Sequence, residues 1–210
     1  MMERIETLEE MIGRYPKLEN CKNEIKKSAE MLIECYESGN CLYTCGNGGS
    51  AADSDHIVGE LMKGFLKKRP LTDEEIAAFG EDGEKIARGL QRGLGAMSLH
   101  SQSSLLTAYM NDEDPALVYA QTLYSLGRGG DVLIAISTSG NSENVLYAAK
   151  VAKAKGIKVI AMVGERSCKL DGVADVVIHV GDTETYRVQE LHLPVYHWLC
   201  AAVEDHFFKV

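Results

Sequence analysis

Residues 131–155 read DVLIAISTSGNSENVLYAAKVAKAK. After its leading aspartate, Asp131–Ser137 is an unbroken apolar run rich in Val and Ile, without the polar alternation of a half-exposed strand. That pattern predicts a strand buried on both faces. Thr138–Ser142 supplies a polar turn, and from Glu143 to Lys155 apolar residues recur at helical spacing until Gly156 stops the helix. The same strand, turn and helix occur upstream. Cys41–Cys45 is a short apolar run, Gly46-Asn-Gly-Gly-Ser50 is a glycine turn, and Ala51–Phe65 has helical periodicity.

Working outward, Ile157–Val163 and Ala174–Val180 read as two more strands and Met97–His100 as a fifth, with helices over Ser103–Met110 and Pro115–Leu126. Two helices are predicted between Arg4 and about Tyr36, parted near Tyr15-Pro16, within an N-terminal helical region 1–38. A last helix opens near Asp182–Glu184 and runs to about Phe208, with Pro194 bending it. Apolar strands alternating with helices imply an α/β fold: a doubly wound, flavodoxin-like parallel sheet of five strands, with helices on both faces and N-terminal helices ahead of it. Ligands of such sheets bind at the carboxyl ends of the strands, where both polar turns fall. A length of 210 residues, 45% of them hydrophobic, suits one domain, 1–210.

Composition narrows the function classes. A net charge of −9 repels a phosphate backbone, so nucleic acid is not an expected partner. The short cluster Lys67, Lys68 and Arg69 reads as a solvated surface turn. No apolar run approaches the roughly 20 residues of a spanning helix, and charged Met1–Glu10 does not resemble a signal peptide. A cytoplasmic protein with no membrane partner is expected. The six cysteines include no CxxC pair and read as buried free thiols.

Two groups of side chains have the types that chemistry at a sugar phosphate needs. Ser137-Thr-Ser-Gly-Asn-Ser142 offers hydroxyls to phosphate oxygens at the start of a helix, whose N–H groups and dipole favour an anion. No Walker lysine and no GxGxxG accompany it, which favours a compact sugar phosphate over a nucleotide. His56 and Glu60 lie four apart on the helix after the first turn and so share a face, as an ordinary surface pair or as two ligands of one metal ion. Gln189, Glu190, His192 and His197 on the last helix add further acids and ligands.

Together, Cys45-Gly-Asn-Gly-Gly-Ser-Ala-Ala-Asp53, His56-x-x-x-Glu60, Ser137-Thr-Ser-Gly-Asn-Ser142 and Thr185-x-Arg-Val-Gln-Glu-x-His192-x-x-x-x-His197 resemble the motif set of the sedoheptulose-7-phosphate (phosphoheptose) isomerases, of the SIS or sugar isomerase fold. The resemblance implies a homotetramer with active sites at subunit interfaces, acting on a phosphorylated seven-carbon sugar. It implies Glu60 as general base, His197 as general acid, and one zinc ion per subunit held by His56, Glu60, Gln189 and His197. By the same resemblance Asn47, Gly48, Gly49, Ser50, Ser137, Thr138, Ser139 and Ser142 bind substrate, chiefly its phosphate, while Asp112, Thr185 and Gln189 touch the sugar. Gln189 and His197 are eight residues apart, which on a straight helix is about 12 Å of rise and roughly 80° of rotation. A bend at Pro194, a ligand from a neighbouring subunit, or His192 in place of one ligand would each reconcile them.

The chemistry asks for such parts on its own terms. Moving a carbonyl between C1 and C2 needs a base that carries a proton through an enediol, and an acid or metal for the developing oxyanion. A carboxylate bound to zinc is a weaker base, so the two roles of Glu60 compete and the residue would exchange between them.

Two departures stand out against the resemblance. The usual Gly-Arg-aromatic after the helix glutamate is here Lys63-Gly64-Phe65, and about 25 residues are added within 69–95, opening with a capping box at Thr72 to Glu75 and ending at Gly89, Gly93 and Gly95. That addition reads either as a lid or as a packing or subunit-contact helix. The competing functions are a non-catalytic SIS sensor or scaffold and an isomerase of a shorter sugar phosphate.

Overall fold

Residues 5–208 are described in the structure, a computed structural model, so the predicted helical start at Arg4 lies outside them. In chain order the elements are α1 (Leu8–Arg14), α2 (Lys22–Glu37), β1 (Leu42–Cys45), α3 (Gly49–Met62), α4 (Asp73–Ala77), α5 (Gly83–Ala87), β2 (Ala96–Ser98), α6 (Ser103–Asp112), α7 (Val118–Leu126), β3 (Val132–Ile136), α8 (Glu143–Ala154), β4 (Lys158–Val163), β5 (Val176–His179) and α9 (Thr185–Phe207). Every residue of β3 is buried, as its continuous apolar run requires.

The strands lie in the order β2-β1-β3-β4-β5, all parallel. This is the flavodoxin-like order, with its switch point between β1 and β3. Alternate strand residues feed two cores. Leu42, Ile134, Ile160 and Ile178 pack with α1, α2, α3 and α9 on one face, while Tyr43, Leu133, Val159 and Ala161 pack with α7 and α8 on the other. Each fully buried Ile or Val contributes roughly 1.5–3 kcal/mol, so a polar residue at Ile134 would break the centre of the sheet.

The structure shifts several predicted boundaries. The helix after the first turn begins at Gly49 rather than Ala51 and stops at Met62 rather than Phe65. It stops because Lys63 is extended and the next backbone N–H groups, of Phe65, Leu66 and Lys67, donate to the Glu204 carboxylate instead of to helix carbonyls. The fifth strand is Ala96–Ser98, so Leu99 and His100 lie beyond it, although the Leu99 N–H still reaches the Thr44 carbonyl.

The predicted solvated turn at Lys67, Lys68 and Arg69 is corrected in one residue. Arg69 is 1% exposed: its guanidinium pairs with buried Glu204 and donates to the Leu61 and Glu60 carbonyls at 2.6 and 3.1 Å. Those are the terminal carbonyls of α3, which lack helical partners. All six cysteines are free, and Cys21, Cys35, Cys45 and Cys200 are buried as expected, but Cys41 is exposed because it precedes β1. Thr72 and Glu75 do form the predicted capping box, on the short helix α4.

Candidate active site

Both polar turns stand at the carboxyl edge of the sheet, on either side of the switch point. Gly48 and Gly140 have φ of +57° and +63°, left-handed conformations that glycine adopts without strain. The turns are joined directly. Asn47 Nδ2 donates to Asn144 Oδ1 and Asn144 Nδ2 donates to Asn47 Oδ1, both at 2.9 Å, and the Tyr119 hydroxyl donates to the Gly46 carbonyl at 2.8 Å. Asn144 was not among the predicted site residues, though it follows the serine-rich turn by two positions.

In the second turn the Ser137 and Ser142 hydroxyls bond each other at 3.0 Å and the Ser139 hydroxyl accepts from the Asn141 N–H at 3.2 Å. Thr138, Ser139 and Thr185 line one cleft of about 200 Å³ together with Asn141, Arg166, Ser167 and Thr183. Arg166 and Ser167, in the loop after β4, were invisible to motif reading because only the fold brings that loop to the turn. Ser50 is buried in the first turn of α3. Asp112 ends α6, exposed, and accepts from its neighbour Asn111 at 2.8 Å; no described hydrogen bond joins it to either turn.

The titratable cluster lies between α3 and α9. His56 Nε2 stands 3.2 Å from Glu60 Oε1, and the other Glu60 oxygen accepts from Lys63 Nζ at 3.0 Å. The His197 ring is edge-on to His56, 4.9 Å between centroids, and its buried Nε2 has no hydrogen-bond partner. Burial first, and then neighbouring His56, lowers the pKa of His197 against the opposing pull of Glu60. A neutral imidazole results, the form that ligates metals.

His56 is oriented from behind. Tyr196 donates to Asp53 Oδ1 at 3.3 Å and its oxygen lies 3.0 Å from His56 Nδ1. The His56 ring is thus flanked by the Tyr196 hydroxyl at Nδ1 and by the Glu60 carboxylate, 3.2 Å from Nε2. A ring nitrogen and a carboxylate oxygen at that distance call for a proton or a cation beside them. Burial raises the Asp53 pKa, while Tyr196 lowers it.

Gln189 meets α3 at its first residue: a Cβ on Gly49 would lie 2.6 Å from Gln189 Nε2. His197 meets the same helix at His56, seven residues or about 10 Å further along its axis. The predicted ligands therefore line one seam between α3 and α9 without converging. Among the described residues, no three His, Cys, Asp or Glu side chains are grouped to hold an ion as they stand. The donor types and the orphaned His197 nitrogen nonetheless fit a zinc ion. His192, the alternative ligand, turns the other way: it is fully buried and donates from Nε2 to the Val163 carbonyl at the end of β4, at 3.4 Å.

The SIS domain family profile matches residues 8–95 and 87–164. The chain is 36% identical over 190 residues to a phosphoheptose isomerase of Helicobacter pylori (strain P12), covering 90% of this chain and 88% of that one. The chain belongs to the phosphoheptose isomerase family of SIS domains. Another family member, from Mycobacterium tuberculosis (strain ATCC 25177 / H37Ra), is 40% identical over 179 residues, covering 85% of this chain and 80% of that one. The family fold is matched in space as well: a phosphoheptose isomerase structure from Neisseria gonorrhoeae superposes with a TM-score of 0.73 at 32% identity, covering 93% of this chain and 94% of that one.

Proposed function

We propose that this chain is a ketose-aldose isomerase that converts D-sedoheptulose 7-phosphate to D-glycero-D-manno-heptose 7-phosphate through an enediol. The observation that carries the reading is the seam just described between α3 and α9, where Glu60 lies against His56 and is backed by His197. A sensor of the same fold would need the phosphate turns but not a carboxylate so placed.

In this reading the Ser137–Ser142 turn, with Asn47, Gly48, Gly49 and Ser50 across the switch point, takes the phosphate, and Thr185 and Gln189 touch the sugar. Glu60 moves the proton between C1 and C2, and His197 donates a proton to the sugar oxygen on which charge develops. His56, Glu60, Gln189 and His197 would hold zinc, which supplies Lewis-acid polarisation of the sugar carbonyl when bound. The whole chain acts as one unit in a homotetramer. Support for assembly comes from α6, none of whose residues is buried although it carries Leu105 and Met110, 38% and 48% exposed. Asp112, at the end of that helix, is then a sugar contact delivered across a subunit boundary. The reading also takes the protein to be cytoplasmic; among the described residues no helix is long and apolar enough to cross a membrane.

Incubating the purified protein with sedoheptulose 7-phosphate and, in parallel, pentulose and hexulose phosphates tests the substrate. Conversion of the seven-carbon sugar at the highest kcat/KM is expected; faster conversion of a shorter one would replace the substrate and keep the reaction.

A further inference from the structure

Glu60 is held at both oxygens, by His56 on one side and by Lys63 on the other. The carboxylate side chain is 14% exposed and the lysine 57% exposed, so Lys63 lies on the solvent side of Glu60, where a ligand arrives. Its Nζ also donates to the Gly64 carbonyl at 3.3 Å, which keeps the ammonium over the end of α3.

Why the cation stands at position 63 and not 64 is a matter of space. A Cβ on Gly64 would collide with the Lys67 carbonyl oxygen and lie 2.6 Å from Gln91 Oε1, the atom that accepts the Gly64 N–H at 3.0 Å. Gln91 belongs to the tail of the 69–95 segment, which lies along the end of α3: the Leu94 N–H reaches the Leu61 carbonyl at 2.9 Å, and a Cβ on Gly93 would strike the Met62 carbonyl. The two departures noted in the sequence are therefore one arrangement. The segment fills the room of a side chain at 64, and the cation that touches Glu60 is Lys63.

We propose that Lys63 is a catalytic residue whose ammonium stabilises the charge that forms on the sugar oxygen as Glu60 takes the proton. The proposal rests on the isomerase reading. In the step, the C–H electron pair becomes the carbon–carbon double bond, the carbonyl π pair moves onto oxygen, which takes a proton from His197, and the carbon-bound proton goes to Glu60; the neighbouring hydroxyl then returns its proton to His197 as its own carbonyl forms, and Glu60 delivers its proton to the former carbonyl carbon. A sugar oxygen that draws Nζ away from Glu60 Oε2 also frees that oxygen to accept the proton, which ties release of the base to arrival of the ligand.

Lys63→Met keeps the length of the side chain and removes its charge. Turnover is expected to fall about 100-fold with KM within about threefold, and Lys63→Arg to recover about tenfold of the loss, the scale for removing one donor to an oxyanion. Two sugar-phosphate ligands separate this from a structural role: an aldonate phosphate, with negative charge where the enediolate has it, and the matching alditol phosphate, with none. By calorimetry Lys63→Met should weaken the aldonate about tenfold and the alditol by less than about twofold, as expected for a lost charge-assisted contact. Unchanged turnover, or equal weakening of both ligands, overturns the proposal. If the parent protein converts no ketose phosphate, the isomerase reading fails by itself, and the two-ligand comparison still decides whether Lys63 faces the charged centre.

Discussion

Arg69 Nε donates to Glu204 Oε1 at 2.9 Å, and both side chains are completely buried. Through this pair the end of α9 holds the end of α3, because Glu204 also takes the N–H groups of Phe65, Leu66 and Lys67 while Arg69 caps the carbonyls of Glu60 and Leu61. Breaking a buried pair leaves an uncompensated charge, at a cost of about 3–5 kcal/mol. Glu204→Gln should lose that much in urea unfolding. A loss under about 1 kcal/mol would mean that the pair does not fasten the two helices.

A second expectation concerns acid. Burial pushes the His192 pKa down from 6.5 to about 4. The folded-state value is below the unfolded one, so between those pH values the unfolded chain holds more protons. Its contribution is fully present above about pH 6.5 and is lost as pH falls towards 4, on the order of 3 kcal/mol in all. His192→Leu removes the titration, and the Val163 carbonyl keeps the Val180 N–H at 3.0 Å. Stability curves of the two proteins should diverge across that window; parallel curves would remove His192 as their cause.

The reciprocal amide pair of Asn47 and Asn144 should matter for binding. Asn144→Ala leaves both turns in place but frees the Asn47 side chain, so KM is expected to rise about tenfold, the loss of about one hydrogen bond, with a smaller change in kcat. A double-mutant cycle with Asn47→Ala should show strong coupling. Additive effects would separate the two residues.

For the assembly, Leu105→Glu on α6 is expected to shift the protein to smaller species in sedimentation without lowering the cooperativity of unfolding. An unchanged sedimentation coefficient would place the subunit contact elsewhere.

The sheet was legible because Val132–Ile136 and residues 159–163 are apolar on both faces, a pattern that few other placements satisfy. The turns after β1 and β3 were legible for the same local reason, strand followed by small polar residues followed by helix. Arg69 was misread because a charged residue in a charged run looks solvated, and its partner Glu204 lies 135 residues away. Asn144 and Arg166 carry no motif of their own and join the site only through strand order. The link between Gly64 and Gln91 is of the same kind: the missing side chain and the added segment each show in the sequence, but their contact does not.

The central claim is that Glu60 moves the proton in a ketose-aldose conversion. Proton NMR of the zinc-supplemented protein with sedoheptulose 7-phosphate, run beside Glu60→Gln, tests it most directly. An aldose signal is expected from the parent protein, with turnover reduced by about 100-fold or more in the variant, the scale of a lost general base. No aldose from the parent, or near-equal rates from the two, would contradict it.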